Sequence, residues 1–306
     1  MNSAASEPAL IGVDWGTSSL RAFLIGAEGE VIDGVSSPEG IMQVSGKCFE
    51  AVLDRLIGPW VAQTALPILA SGMITSRNGW VETPYAAMPL GADDLAQALK
   101  SLEVANGTLV HFVTGASTEH AGGPDVMRGE ETQIIGASSL GLNDGTFVMP
   151  GTHSKWVQVV DRRIVDFSTY MTGEVFAALK GHTILGTLME GDDVSEEAFE
   201  MGVTAGLEGG ANLLHNLFHV RTLPLMGKIP KGSTADYMSG LLIGTEVAAA
   251  TRGARGAGTL TIVGRSDLSD RYERALQTAG LECRRAPDDI AAKGHFLIAR
   301  AAGLLG

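Results

Sequence analysis

The chain has 306 residues, 45% of them hydrophobic and 19% charged, a globular composition longer than one core usually serves and far from the disordered class. Its formal net charge is −13, from 22 Lys+Arg against 35 Asp+Glu, which excludes the basic footprint that a nucleic-acid or anionic-membrane partner needs. A nucleotide ligand stays open, because backbone N–H groups, one lysine and a metal ion can meet its phosphates locally.

The two cysteines, Cys48 and Cys283, lack metal-ligand or redox spacing, so a reducing, cytoplasmic setting is expected. Residues 1–10 carry no positive segment followed by a long apolar one, and no apolar run approaches the roughly 20 residues of a membrane helix. The 40 glycines are scattered and read as tight turns and close backbone approaches.

In chain order, Leu10-Ile11-Gly12-Val13 predicts a buried strand ending at Asp14-Trp15-Gly16-Thr17-Ser18-Ser19. Residues 20–25 resume as a strand, turn at Glu28-Gly29 and continue at Val31-Ile32, which makes a hairpin. A helix is expected from about 47 to 64, a strand at 67–70, a helix over 92–103 and a strand at 109–113. A second cycle starts with a strand at 146–149, the loop Pro150-Gly151-Thr152-His153-Ser154-Lys155, a strand at 156–160, a turn at 161–163 and a strand at 164–167. Its order matches the opening of the chain and implies an internal structural duplication. Helices follow over about 173–220 and 234–252, then a strand at 260–263 closed by Gly264, a helix over 268–279, a short strand at 282–286 and a last helix over 289–305. The glycine-rich stretch 141–145 places a domain boundary near residue 140, giving lobes 1–140 and 141–306, with the last helix returning to the first lobe.

Asp14-x-Gly16-Thr17-Ser18 offers a strand-end carboxylate, successive backbone donors and hydroxyls, a set that can wrap phosphate oxygens and hold Mg²⁺ through water. An ordinary hairpin turn explains the same residues. The loop Gly151 to Lys155 carries both readings too, with Lys155 either a point charge on phosphate or a solvated strand-end lysine. Gly264, between a strand and a helix, could admit an adenosine or simply make a turn. There is neither a P-loop lysine motif nor a G-x-G-x-x-G.

The ordered set of two hydroxyl-and-glycine loops and a later strand–glycine–helix turn resembles the sugar kinase/Hsp70/actin superfamily. Within it, six segments are similar to the 2-dehydro-3-deoxygalactonokinase family: Gly12 to Ser18, Ser71 to Ile74, Asn78 to Tyr85, Met127 to Gln133, Pro150 to Trp156 and Met171 to Glu174. The resemblance implies an α/β, two-lobed actin/hexokinase-type (ribonuclease H-like) duplicated fold. It also implies transfer of the ATP γ-phosphoryl group, with Mg²⁺, to the 6-hydroxyl of the small sugar acid 2-dehydro-3-deoxygalactonate, in galactonate catabolism.

Phosphoryl transfer needs positioning and charge neutralisation more than covalent chemistry. The ATP phosphates are assigned to Gly16, Thr17 and Ser18 and to Gly151, Thr152 and Lys155, the metal to Asp14, and the adenosine to Gly264. For the base, Glu131 is preferred, from its place in Arg128-Gly129-Glu130-Glu131-Thr132 and its likeness to the exopolyphosphatase branch; Asp14 is the alternative, and a helix start that favours carboxylates explains the pair equally well. The acceptor is assigned to Ser71, Gly72, Met73, Arg77, Asn78, Trp80 and Glu82, with Arg77 or Arg21 for its carboxylate; Trp80 and Tyr85 also suit a core or rim.

His215 and His219, at helical spacing, have no third ligand and read as a solvated or half-buried pair. The acidic run 190–197 reads as a loop and helix start. Rival functions are a kinase for another sugar, an exopolyphosphatase-like hydrolase, which would want a basic channel, and a non-catalytic regulator. A homodimer is an open alternative for the assembly.

Overall fold

The structure, a computed structural model, describes residues 7–63, 65–189, 194–209, 212–252, 259–287 and 289–305. The chain divides into two compact units: residues 1–144, 159–166 and 287–306 form the first, residues 145–158 and 167–286 the second.

In the first unit β1 (Pro8–Trp15) turns through residues 16–19 into β2 (Leu20–Gly26), and Gly29, at φ +79°, leads to β3 (Val31–Ser37). β4 (Ile68–Ser71) lies parallel to β1, and β7 (Leu109–Phe112) parallel to β4. With β6 (Lys100–Glu103) at its edge, the sheet runs β3-β2-β1-β4-β7-β6. A second sheet joins β5 (Tyr85–Ala87), β8 (Gly115–His120) and β9 (Gly123–Met127).

Helix α1 (Phe49–Val61) buries Phe49, Leu53, Ile57 and Trp60, positions spaced to fall on one face. That face packs on Ile11, Val13, Trp15, Leu20 and Phe112 of the sheet, each such side chain contributing roughly 1.5–3 kcal/mol by leaving water. Helix α3 (Glu130–Ser138) packs against α9 (Ile290–Ala301) through reciprocal glycines. A Cβ on Gly136 would overlap the backbone at Ile290, and one on Gly294 the backbone at Thr132.

The helix expected over 92–103 is shorter. Helix α2 spans Ala92–Gln97, and residues 100–103 are β6, paired antiparallel with β7. The exposed Asp94 carboxylate accepts from the Gly91 N–H and starts the helix. Sheet pairing with residues 109–112 then prevails over the local helical pattern.

A five-stranded sheet repeats the first sheet's order: β10 (Gly145–Met149), β11 (Ser154–Val160), β12 (Arg163–Tyr170), β13 (Leu260–Ile262) and β14 (Cys283–Arg285) run β12-β11-β10-β13-β14. It lies in the second unit except for residues 159–160 of β11 and 163–166 of β12. Around it lie α4 (Thr172–His182), α5 (Glu196–Gly209), α6 (Leu213–Leu225), α7 (Thr234–Ala250) and α8 (Ser266–Thr278). Helices α5 and α7 meet at backbone distance, Gly202 and Gly206 against Tyr237 and Leu241, Gly240 and Gly244 against Phe199 and Val203. Such contacts require glycine because no side chain fits between the backbones. The rings of His215 and His219 on α6 stack edge to face at 5.0 Å, and residues 190–193 of the acidic run lie outside the described residues. Among the described residues no helix is long and apolar enough to cross a membrane.

Candidate active site

The ends of β1 and β4 bring the first group of candidate residues together. Asp14 stands beside Ser71 in the parallel register and opposite Arg21 in the antiparallel one. Arg21 donates to Asp14 Oδ2 at 2.6 Å, and the side chain of Asp14 is 13% exposed. Beyond Asp14 the Gly16 N–H donates to the Ser19 carbonyl at 2.8 Å, closing a tight turn. That turn is braced by the chain at 40–42, where the N–H groups of Ile41 and Met42 donate to the carbonyls of Gly16 and Thr17. Thr17 and Ser18 are left exposed.

Gly72 follows β4 at φ +92°, a conformation open to glycine, and a Cβ there would lie 2.8 Å from the Trp15 carbonyl oxygen and 3.4 Å from Asp14 Oδ1. A Cβ on Gly129, at φ +108°, would in turn sit 3.0 Å from Gly72 Cα. The Gly129 N–H donates to both carboxyl oxygens of Glu131, at 2.9 and 2.8 Å. Glu131 is fully buried. Burial, reinforced by neighbouring Glu130, pushes its pKa up to about 8, so the carboxyl holds its proton at neutral pH.

A side chain that sequence reasoning did not single out completes this neighbourhood. His295 of α9 is fully buried, its Nε2 2.9 Å from Ser71 Oγ and its Nδ1 without a partner. Its ring packs on Gly12, where a Cβ would come within 2.7 Å of Nδ1. Burial lowers its pKa to about 4, against the raising influence of Asp14, so the ring is neutral. Sequence carried no signal for it, since the partner serine is 224 positions away.

The acceptor segment is pinned by Arg128. Its guanidinium donates to the carbonyl and hydroxyl of Thr75 and to the hydroxyl and carbonyl of Thr83, at 2.6–3.1 Å, and lies 4.3 Å from the centre of the Tyr85 ring. Of the residues assigned to this segment, Ser71 and Gly72 lie at Asp14, and Met73 is half-buried against the core. Trp80 stacks between Phe49 and Phe112 and forms part of that core's wall. Arg77 and Glu82 pair with each other at 3.5 Å on the surface, with Asn78 exposed beside them.

In the second unit the loop between β10 and β11 is held from three sides. A Cβ on Gly173 would overlap Gly151 and Thr152, and the Glu174 N–H donates to the Thr152 carbonyl at 3.0 Å. His153 pairs with Glu174. Lys155 is 5% exposed and its Nζ donates to the His153 carbonyl at 3.5 Å. Gly264 backs onto Pro150, 3.4 Å from where its Cβ would be, so Gly151, Thr152, Lys155 and Gly264 share one end of the sheet.

Behind this loop lies a second carboxyl missed from sequence, Glu246 of α7, which is 3% exposed. Trp156 Nε1 donates to its Oε1 at 2.8 Å, and the Tyr272 hydroxyl (2.7 Å) and Thr172 hydroxyl donate to its Oε2. Burial pushes its pKa up, against the lowering effect of these hydrogen bonds. A lone carboxylate within the apolar run of residues 237–250 was the available signal, because a buried charge requires partners.

The amino-acid pattern extends this correspondence over nearly the whole chain: residues 14–298 match the family model for 2-keto-3-deoxy-galactonokinase. The chain belongs to that family. The 2-dehydro-3-deoxygalactonokinase of Escherichia coli (strain K12) is 35% identical over 92% of this chain and 94% of its own length. A crystal structure of a candidate 2-dehydro-3-deoxygalactonokinase from Sinorhizobium meliloti superposes with TM-score 0.88 at 35% identity, covering 95% of this chain and 98% of that one. Beyond the galactonokinase family, a xylulose kinase from Lactobacillus acidophilus shares the fold alone, at TM-score 0.50 and 11% identity over 96% of this chain and 89% of that one. The duplicated α/β architecture is therefore of the actin/hexokinase type.

Proposed function

We propose that the protein transfers the γ-phosphoryl group of ATP to the 6-hydroxyl of 2-dehydro-3-deoxygalactonate, in the cytoplasm, as a step of galactonate catabolism. The observation that carries this reading is the matched family pattern together with an ion-paired carboxylate, Asp14, set at the strand ends against Ser71 and Gly72.

On the first unit, the backbone of residues 16–18 and the hydroxyls of Thr17 and Ser18 take ATP phosphate oxygens. On the second, Gly151 and Thr152 offer backbone donors and Lys155 a positive charge suited to phosphate oxygens. Gly264 leaves the end of β13 open for the adenosine. One carboxylate, water and the phosphates of the nucleotide make a usual magnesium set, so Asp14 fits an ion held through its water shell. When bound, Mg²⁺ neutralises charge developing on the phosphates.

Between the two candidate bases the geometry favours Asp14. Glu131 is sealed from solvent and keeps its own proton at neutral pH, whereas Asp14 commits Oδ2 to Arg21 and turns Oδ1 toward Gly72. The acceptor hydroxyl proton passes to Oδ1 as the phosphoryl group arrives. Glu131 then acts by fixing Gly129, and through it Gly72. Arg21 is spent on Asp14, so the acceptor carboxylate falls to Arg77, whose exposed pairing with Glu82 is cheap to exchange.

The test is a coupled ADP-release assay with Mg·ATP and 2-dehydro-3-deoxygalactonate, its gluconate epimer, galactonate, hexoses or no acceptor. Turnover restricted to the keto-deoxy acids is expected, with their ratio giving the stereochemical preference. ADP release without acceptor would mean a hydrolase, and turnover with hexoses alone would mean another sugar kinase.

A further inference from the structure

Glu246 is the most connected buried carboxyl in the second unit, and the family match gives it no role. Its three hydrogen-bond donors come from three separate elements: Trp156 from β11, Thr172 from the start of α4, and Tyr272 from α8. Two of these adjoin the Gly151–Lys155 loop directly. Trp156 immediately follows Lys155, and Thr172 immediately precedes Gly173, whose backbone lies against Gly151 and Thr152. The carboxyl therefore ties both walls of the loop to one point on α7. All three donors are neutral, and a lysine of the same strand lies at the loop, with Nζ at the His153 carbonyl.

A network of this kind is costly to bury and is worth its cost only when every member is satisfied. Aliphatic packing would hold β11 to α7 equally well, as Ile243 and Val247 of α7 already do in the core they share with Trp156. What packing cannot do is fix the register of a loop whose donors must meet phosphate oxygens to within a fraction of an ångström.

We propose that Glu246 is a positioning residue for nucleotide binding, holding the Gly151–Lys155 loop and the first turn of α4 in the spacing that ATP phosphates require. The inference rests on the assignment of that loop to ATP. It places the effect of Glu246 on the nucleotide and not on the sugar acid, which binds on residues of the first unit.

The experiment compares the protein with Glu246→Ala, Glu246→Gln, Tyr272→Phe and Thr172→Val in steady-state kinetics, with folding followed by thermal unfolding. Glu246→Ala is expected to raise KM for ATP about 10- to 100-fold and leave KM for the acceptor within about twofold. Glu246→Gln, which keeps the shape and can exchange hydrogen-bond direction with the hydroxyls, should recover most of the loss. Tyr272→Phe and Thr172→Val, each removing one donor, should raise KM for ATP about threefold and carry the test if Glu246→Ala does not fold. Folded variants with unchanged KM for ATP, or with both KM values raised alike, overturn the inference. If the parent protein turns over no acceptor, the proposed reaction fails, and calorimetry with the Mg²⁺ complex of a non-hydrolysable ATP analogue decides the positioning role alone: affinity unchanged across the variants overturns it.

Discussion

The first sheet runs β3-β2-β1-β4-β7 before its edge strand, and the second runs β12-β11-β10-β13-β14. In each, a glycine-and-hydroxyl loop joins the central strand to its hairpin partner. The chemistry at the two loops is opposite in sign. The first ends on a carboxylate held by an arginine, with a neutral buried imidazole behind it. The second ends on a lysine, with a buried carboxyl behind it that only neutral groups touch. A duplicated backbone thus fixes where a loop sits, while the strand-end side chain sets the sign of the charge beside it.

The largest expected effects come from breaking that polarity. Asp14→Asn should lower kcat about 10³-fold, the loss expected of a removed proton acceptor. Lys155→Met should lower kcat/KM for ATP about 10²- to 10³-fold. If both variants lost the same parameter to the same degree, the division of labour between the loops would be wrong.

Next in size are the glycine contacts between helices, which occur in both units. Gly294→Ala in α9 and Gly240→Ala in α7 each force a methyl into a neighbouring backbone and should cost about 2–3 kcal/mol, read as a lowered denaturant midpoint. The comparison is sharpened by kinetics on the folded fraction: Gly294→Ala should impair the acceptor side, Gly240→Ala the nucleotide side. Equal defects would show that the two units do not respond separately.

A further effect is on pH dependence, and it concerns the first unit. Glu131 titrates at about 8 in the folded protein against an ordinary 4.5, so the folded state holds an extra proton between those values. Its contribution is complete below about pH 4.5, falls by up to about 1.4 kcal/mol per pH unit as pH rises, and is gone above about 8. Glu131→Gln keeps the neutral shape and should flatten stability between pH 5 and 8. An unchanged slope in that variant would mean that Glu131 is ionised at neutral pH.

Both glycine-and-hydroxyl loops and the strands that flank them were legible in sequence as structure, because short apolar runs broken by glycine and hydroxyl residues leave few alternatives. So was the start of α3 at Glu130. The stretch 100–103 was not, because its strand character comes from pairing with residues 109–112. The three-stranded sheet of β5, β8 and β9 went unread for a similar reason: its members are short, and Ser117 to His120 are polar. At the candidate site, local motifs drew attention to Asp14, Ser71 and Lys155. They could not give His295, Glu246 or the grip of Arg128 on Thr75 and Thr83, since those depend on residues 26 to 224 positions apart. Motifs also drew Trp80 toward the ligand, although its ring is used between Phe49 and Phe112.

Helix α9 belongs to the first unit although it comes last among the helices. During synthesis, β1 and α3 emerge long before the helix whose glycine and histidine fill the spaces against Gly12, Ser71 and Thr132. Until residue 301 or so has left the ribosome, the first unit has an open groove where α9 will lie, and Asp14 lacks its final surroundings. The second unit, complete by residue 286, can close first. The Gly151–Lys155 loop then has its neighbouring elements in place before Asp14 does, an order set by where α9 falls in the chain.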